Sequence, residues 1–368
     1  MALSGLIVHE WLSPAGGSEN VFEAIARVFP DAERWCLWNE AGERFQPVHE
    51  TLLAQTPLRG RKAVALPFMP TVWRHLPERD ADWVLTSSHL FAHHARFAGP
   101  ARDAPKVVYT HTPARYIWVP ELDGRGDSLP ARALSMALKP LDRKRAQEPV
   151  AIAANSRFIA ERVADAWERK AEVIYPPVAV AGFGQEPELT AAEQDRLDAL
   201  PESFILGFSR FVPYKRLDAA IAAGRASGLP VVLAGSGPDE ERLRAIAEET
   251  YPGAVTFVHH PSTPLLTAIL QRASALVFAP IEDFGIIPVE AMAAGTPVLA
   301  NAVGGAVESV LDGVTGAHVH DWESPAELEA AVSKALGSSS DACRVRAADF
   351  GEDVFAREIE RFVARHAC

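Results

Sequence analysis

Short apolar runs rich in Val, Ile and Leu alternate along the chain with longer segments of helical period. That alternation predicts strands joined by crossover helices, and so an α/β protein built on parallel sheets. In the first half the predicted strands are Leu3–Val8, Trp83–Thr86, Lys106–Thr110 and Val150–Ala154. In the second half they are Phe204–Phe208, Val231–Ala234, Val255–Val258, Ala275–Ala279 and Pro297–Ala300. A helix is predicted from near Ser18, where Val21, Phe22, Ile25, Val28 and Phe29 share one face that would cover the first sheet. Residues 350–366 place Phe350, Val354, Ile359, Phe362 and Val363 among charges, the pattern of an amphipathic terminal helix. Tyr175-Pro176-Pro177, followed by the polar, Glu-rich stretch Gln185–Glu202, reads as an interdomain connection because consecutive prolines end a strand and stiffen the chain. The boundary falls near Val180, giving domains 1–180 and 181–349 and a terminal segment 350–368.

Composition sharpens this picture in three ways. A length of 368 residues suits two domains, each with its own core. The formal charge of -12 opposes nonspecific attraction to nucleic acid, and the acidity is uneven: residues 1–180 carry 22 basic and 21 acidic side chains, leaving 14 and 27 for the rest. Cys36, Cys343 and Cys368 are far apart and match no zinc or disulfide framework, which points to a reducing cytoplasm. The opening apolar stretch is interrupted by His9 and Glu10 before it reaches signal-peptide length, and no apolar run approaches membrane-spanning length.

Ligands of open parallel sheets bind beyond the carboxyl ends of strands, and five segments with unusual chemistry fall there. Gly16 and Gly17 precede the first helix, where a backbone can approach an anion; a tight strand-to-helix turn reads the same way. Ser209, Arg210 and Lys215 follow the first strand of the second domain, and Pro213 sets the two cations in a loop in which both can turn toward one diphosphate; two solvated surface cations are the plain alternative. Gly235-Ser236-Gly237 resembles part of a nucleotide-binding turn but lacks the third glycine, so a plain βα turn is the better reading and phosphate contact stays open. Glu282 and Glu290 flank Asp283, Phe284, Gly285 and Ile286, a loop whose amides and carboxylates suit sugar hydroxyls; an exposed acidic loop is the plain alternative. His111 closes a strand ahead of Thr112-Pro113 and puts an imidazole at the rim of the first sheet, where a functional role and the structural role usual for a lone histidine are both open.

Other patterns carry less. Asp80-Ala81-Asp82 precedes a strand rather than following one, and Asp283-Phe284-Gly285 lacks the rest of a kinase signature. The pairs His93-His94, His259-His260 and His318/His320 have no companion ligand cluster in the sequence, and no metal is assigned to them. From Thr51 to Pro77 there is no acidic residue, and Arg59, Arg61, Lys62 and Arg74 are interleaved with Leu66, Phe68, Met69 and Trp73. That stretch, 59–77 above all, suits peripheral contact with an anionic membrane, and equally a basic loop covering a core.

Taken together, Arg210 with Lys215, Glu282 with Glu290, His111 and the Gly16-Gly17 loop resemble the retaining GT-B glycosyltransferases of family four, also called glycosyl transferases group 1. The stretch Phe278–Val298, with Pro280-Ile281-Glu282-Asp283-Phe284-Gly285 and Glu290-Ala291-Met292-Ala293-Ala294-Gly295-Thr296-Pro297, is similar to that family's donor-binding signature. Tyr109–Trp118 further resembles the branch of O-antigen mannosyltransferases. Ser209 and Asp283 depart from the glycines that many relatives carry there.

The resemblance implies two Rossmann-like domains with parallel sheets facing a central cleft. The N-terminal domain would bind the acceptor and the C-terminal one a nucleotide-sugar donor, with the last helix crossing back. It implies that Arg210 and Lys215 hold the diphosphate, Glu290 the ribose, and Glu282 with the Phe284–Ile286 amides the donor sugar. Gly17 would approach the phosphate and His111 would lie near the transferred sugar. No catalytic metal or other cofactor is implied. The expected activity is retaining hexosyl transfer, GDP-mannose favoured as donor, to a glycan, a lipid-linked or a small-molecule acceptor. The expected place is the cytoplasm, including the inner face of the membrane. A noncatalytic sugar-nucleotide or partner-binding protein and a sugar-nucleotide epimerase are the rival readings, and a nicotinamide oxidoreductase is disfavoured by the incomplete glycine fingerprint.

Overall fold

The computed structural model describes residues 4–119 and 129–367, with side chains of 129–134 excepted. Leu3 and Cys368 lie outside the described residues. The chain divides into two compact units, one of residues 1–177 with 353–368 and one of residues 178–352.

The first unit holds β1 (Gly5–His9), β2 (Glu33–Cys36), β3 (His49–Glu50), β4 (Trp83–Ser88), β5 (Lys106–Thr110), β6 (Ala151–Ala154) and β7 (Glu172–Val173). They form one seven-stranded sheet in the order β3-β2-β1-β4-β5-β6-β7, with every pairing parallel. The second unit holds β8 (Ile205–Phe208), β9 (Val231–Gly235), β10 (Val255–His259), β11 (Ala275–Phe278), β12 (Val298–Asn301) and β13 (Gly316–Val319). Its six strands run β10-β9-β8-β11-β12-β13, again all parallel. In each sheet the order turns around between two central neighbours, β1 and β4 in one, β8 and β11 in the other. There the crossovers leave in opposite directions and a crevice opens at the carboxyl ends of the strands.

The parallel sheets need apolar cover on both faces, and the helices supply it. The helix Gly17–Val28 buries Val21, Phe22 and Ile25, with Val28 and Phe29 packed at the margin as its periodicity predicts. The C-terminal helix, Glu352–Ala367, belongs to the first unit and drives Phe355, Ile359, Phe362 and Val363 into the same core cluster as Ile7, Leu85 and Tyr109. Arg365 and His366 at its end pair with Glu172 at 2.5 and 2.6 Å, tying it to the edge strand β7.

Four strands escape the sequence pattern: β2, β3, β7 and β13. The edge strands β3 and β7 are two residues long, too short for any period, and β2 reads Glu-Arg-Trp-Cys, with too few apolar residues to stand out. The basic stretch is divided between core and surface. Leu66, Met69 and Trp73 are buried in the core of the first unit, and Arg59 and Arg74 are paired with Glu50 and Glu148. Phe68 stays exposed, with Val64 beside it. Among the described residues no helix is long and apolar enough to cross a membrane.

Phe362 is fully buried while its neighbour Arg361 is exposed and, among the described residues, bonds only Glu358. Phe362→Ala is expected to lower unfolding free energy by about 3–5 kcal/mol in urea titrations, and Arg361→Ala by about 0.5 kcal/mol or less.

Candidate active site

The crevice of the second unit gathers the residues singled out in its sequence. After β8 the chain turns through Ser209, Arg210 and a single 3-10 turn, Pro213–Lys215. After β11 it passes Glu282 and Asp283, and Gly285 then opens the helix Ile286–Ala293. Lys215 Nζ donates to Glu282 Oε1, so the cation of one loop and the carboxylate of the other meet as an ion pair, their side chains 12% and 22% exposed. Arg210 is exposed and donates to the hydroxyl of Tyr214 at 3.0 Å, on its own loop. The two cations therefore do not share a protein anion: Lys215 is held by Glu282, whereas Arg210 reaches outward.

Gly235 and Gly237 have a strong local reason to be glycine. Their φ angles are 136° and 155°, and an added Cβ would lie 1.9 Å from the Ser209 carbonyl oxygen and 2.3 Å from that of Phe211. The backbones interlock further, since Phe211 N donates to Ser236 O and Asp239 N to Phe211 O. The two glycines let the loop after β9 press against the loop after β8 and fix the base on which Arg210 and Lys215 stand. Gly304 and Gly305, which sequence reasoning passed over, do the same for the acidic loop. Gly305 N donates to Glu282 O at 2.8 Å, and a Cβ on Gly305 would sit 2.3 Å from Asp283 O. Their signal was present, a glycine pair just beyond an apolar strand.

Gly285 adopts φ 91° at the head of its helix, and Phe284 is buried against Phe350 with ring centroids 5.5 Å apart. Glu290, one turn into that helix, has its carboxyl pushed up to about 7 by burial. The ordinary cause of such a shift is loss of water around the charged form, and a partner offering hydroxyl donors would restore the carboxylate.

The first unit's crevice holds a different chemistry. Gly16 and Gly17 begin the first helix as expected, but the carboxylate of Glu19 curls back over them. It accepts from Ser13 N at 3.2 Å and Ser18 Oγ at 2.8 Å, and a Cβ on Gly16 would lie 2.1 Å from its Oε2. Gly16 thus makes room for an internal anion at the helix start. Lys62 Nζ stands over the Trp11 ring, 4.5 Å from its centroid, and 3.4 Å from Ser13 Oγ.

His9 and Glu10, which break the first apolar run, line the carboxyl edge together with β4. Glu10 is fully buried and accepts from Leu90 N at 2.9 Å and Ala92 N at 2.7 Å, pinning the loop after β4; burial nonetheless pushes its carboxyl up to about 7. His111 is bonded through Nε2 to Ser87 Oγ at 2.9 Å, and burial lowers its imidazole to about 3, so it is neutral.

The pair His93-His94 has a companion after all. Asp142, 48 residues beyond His94, faces both imidazoles, with Nε2 of His94 at 3.0 Å and of His93 at 3.1 Å from Oδ1. Its Oδ2 accepts the indole N–H of Trp118 and of Trp167, each at 2.7 Å. Burial alone would raise this carboxyl, but the nearby His93 and the hydrogen bond from His94 hold it below the carboxylate range. With both oxygens taken by protein donors, the cluster serves as a clasp between the loop after β4 and the three helices that carry Trp118, Asp142 and Trp167. The separation along the chain hid it.

Residues 192–349 match the family model "Glycosyl transferases group 1", and residues 15–181 match "Glycosyltransferase Family 4". HepE of Anabaena, solved in complex with UDP, superposes with a TM-score of 0.71 at 18% identity, covering 98% of this chain and 100% of that one. The chain has the fold of the GT-B glycosyltransferases of family four. The lipopolysaccharide outer core galactosyltransferase WaaB shares that GT-B fold, with a TM-score of 0.68 at 16% identity over 99% of each chain. Among curated proteins, the D-inositol 3-phosphate glycosyltransferase of Mycobacterium avium is 38% identical over 170 residues, 42% of this chain and 40% of that protein. The matched region thus spans well under half the length of that relative.

For Glu290 the folded chain holds its proton more tightly than an unfolded one, about 7 against 4.5. Its contribution to stability is complete below 4.5 and is lost as pH rises through about 7. Glu290→Gln is expected to flatten that part of the stability profile between about pH 4.5 and 8, read by urea unfolding at a series of pH values.

Proposed function

We propose that this GT-B protein is a retaining glycosyltransferase. It moves a hexosyl group from a nucleotide-diphosphate sugar to a hydroxyl of a glycan, a lipid-linked or a small-molecule acceptor. The observation that carries this reading is the meeting of Lys215 and Glu282 at the crevice between β8 and β11, with exposed Arg210 on the same loop as Lys215. A diphosphate competes with Glu282 for the Lys215 ammonium, and the carboxylate so released accepts from a hydroxyl of the sugar. One ion pair thereby serves as the resting form of two ligand contacts.

In this reading Arg210 and Lys215 neutralise the diphosphate as it leaves, the step in which charge grows and fixed cations are most effective. The bond from the anomeric carbon to the diphosphate oxygen breaks, with its electron pair leaving on the nucleoside diphosphate. The acceptor oxygen bonds to that carbon on the same face, and its proton passes to a departing phosphate oxygen. Glu290 binds the ribose, Glu282 with Asp283 and the Phe284–Ile286 backbone the sugar, and Ser209, Gly235 and Gly237 support the phosphate loop. Following the family resemblance, Gly16 and Gly17 are assigned to phosphate, His111 to the transferred sugar, and no metal to the reaction. GDP-mannose is the first donor to try, on the strength of Tyr109–Trp118. The UDP complex of HepE makes uridine donors the comparison.

Lys215→Ala is expected to lower donor turnover about a hundredfold while leaving cooperative unfolding in place, and an unaltered rate contradicts the assignment. Peripheral membrane contact through 59–77 is proposed on the exposed Val64 and Phe68 beside Arg61 and Lys62. Vesicles containing phosphatidylglycerol are expected to bind the protein weakly and a variant neutralised at Arg59, Arg61, Lys62 and Arg74 still less. Equal sedimentation of parent and variant discards the contact.

A further inference from the structure

Three adjacent strands of the first sheet, β1, β4 and β5, end in a row of buried hydrogen-bonding groups. His9 closes β1, Ser87 lies opposite it on β4, and His111 comes directly after β5. His9 Nδ1 stands 3.2 Å from the Ser87 carbonyl oxygen and 3.0 Å from Ser87 Oγ, and that hydroxyl is 2.9 Å from His111 Nε2. His9 and Ser87 are fully buried, and His111 is 9% exposed.

The proton positions can be assigned from what each atom can do. A carbonyl oxygen only accepts, so the nitrogen facing it must carry hydrogen: neutral His9 has its proton on Nδ1, shared between the Ser87 carbonyl and hydroxyl. Burial, helped by the nearby His89 and His111, holds the His9 imidazole well below its ordinary value and hence neutral. The Ser87 oxygen already accepts from His9. If it also accepted from His111, its own hydrogen would have no partner in a site closed to water, a loss of the kind that buried donors avoid. The hydroxyl therefore donates to His111 Nε2. A neutral imidazole that accepts at Nε2 carries its hydrogen on Nδ1, and Nδ1 of His111 makes no hydrogen bond among the described residues.

We propose that His9 and Ser87 are positioning residues that lock His111 in its Nδ1–H tautomer, so that His111 presents a hydrogen-bond donor to an oxygen of the bound carbohydrate. The assignment to carbohydrate rests on the proposed glycosyl transfer; the tautomer does not. His111 then steadies a sugar hydroxyl or ring oxygen as a donor and is not the base that removes the acceptor's proton, a task left to the departing phosphate. The backbone bond from His111 N to Ser88 O, 2.8 Å, fixes the imidazole's origin, and the hydroxyl fixes its rotation.

The test is a long-range 1H–15N spectrum of the full chain labelled at histidine, with His111 assigned by the signals lost in His111→Gln. The wild type is expected to show His111 Nε2 at the unprotonated position and Nδ1 at the protonated one, unchanged between about pH 6 and 8. Ser87→Ala is expected to mix the tautomers and to lower kcat about tenfold with little change in KM, whereas Ser87→Thr, which keeps the hydroxyl, restores both. A wild-type His111 protonated at Nε2, or a tautomer indifferent to Ser87→Ala, overturns the proposal. Should the tautomer stand as stated while His111→Gln transfers sugar at the full rate, the tautomer lock is supported and the placement of His111 beside the sugar fails instead.

Discussion

A parallel sheet covered on both faces leaves its carboxyl edge as the place where polar side chains can gather without breaking the core, and this constraint organises both units. The strands themselves carry little chemistry. Ile7, Leu85, Val107, Leu206, Leu233 and Leu276 serve only to fill space between sheet and helices. The charge, the imidazoles and the glycines gather at the strand ends and in the loops and helix starts just beyond them. Because crossovers diverge between β8 and β11, two loops far apart in sequence are brought side by side, and Lys215 meets Glu282 across 67 residues.

The two edges use that position in contrasting ways. In the second unit a cation and a carboxylate neutralise each other while still partly exposed, which leaves both exchangeable for ligand groups at modest cost. In the first unit the polar groups are sealed. Glu10 holds the loop after β4 by its backbone amides, and Asp142 takes donors from His94, Trp118 and Trp167 with His93 beside it. Such groups set backbone geometry and ring orientation rather than exchange partners, since removing any one leaves another buried and unsatisfied. One unit thus carries a responsive edge and the other a rigid one.

How much of this was legible in the sequence depends on distance along the chain. The helix Gly17–Val28 and the central strands announce themselves through periodicity, because each is defined by residues a few positions apart. The edge strands β3 and β7 do not, having only two residues each. The acidic and basic loops of the second unit were readable from residue types after apolar runs, and so was the glycine pair at 235 and 237. Their partnership with Ser209 and Phe211 was not, because a carbonyl oxygen within 2.3 Å of a missing Cβ leaves no trace but the glycine itself. Asp142 is the sharpest case: a lone aspartate in a basic helical segment becomes the buried partner of two histidines and two tryptophans. Cations interleaved with Leu66, Met69 and Trp73 read equally as a surface and as a loop over a core, and only the fold shows that those three side chains turn inward.

The central claim is that the crevice between β8 and β11 receives the diphosphate of a nucleotide sugar. Calorimetric titration of the full chain with GDP-mannose, UDP-glucose and their nucleoside diphosphates tests it most directly. The account predicts one site per chain for at least one of them, weakened about tenfold or more by Lys215→Ala through the lost charge-assisted bond. Absence of heat with every nucleotide, or an affinity that Lys215→Ala leaves untouched, contradicts it.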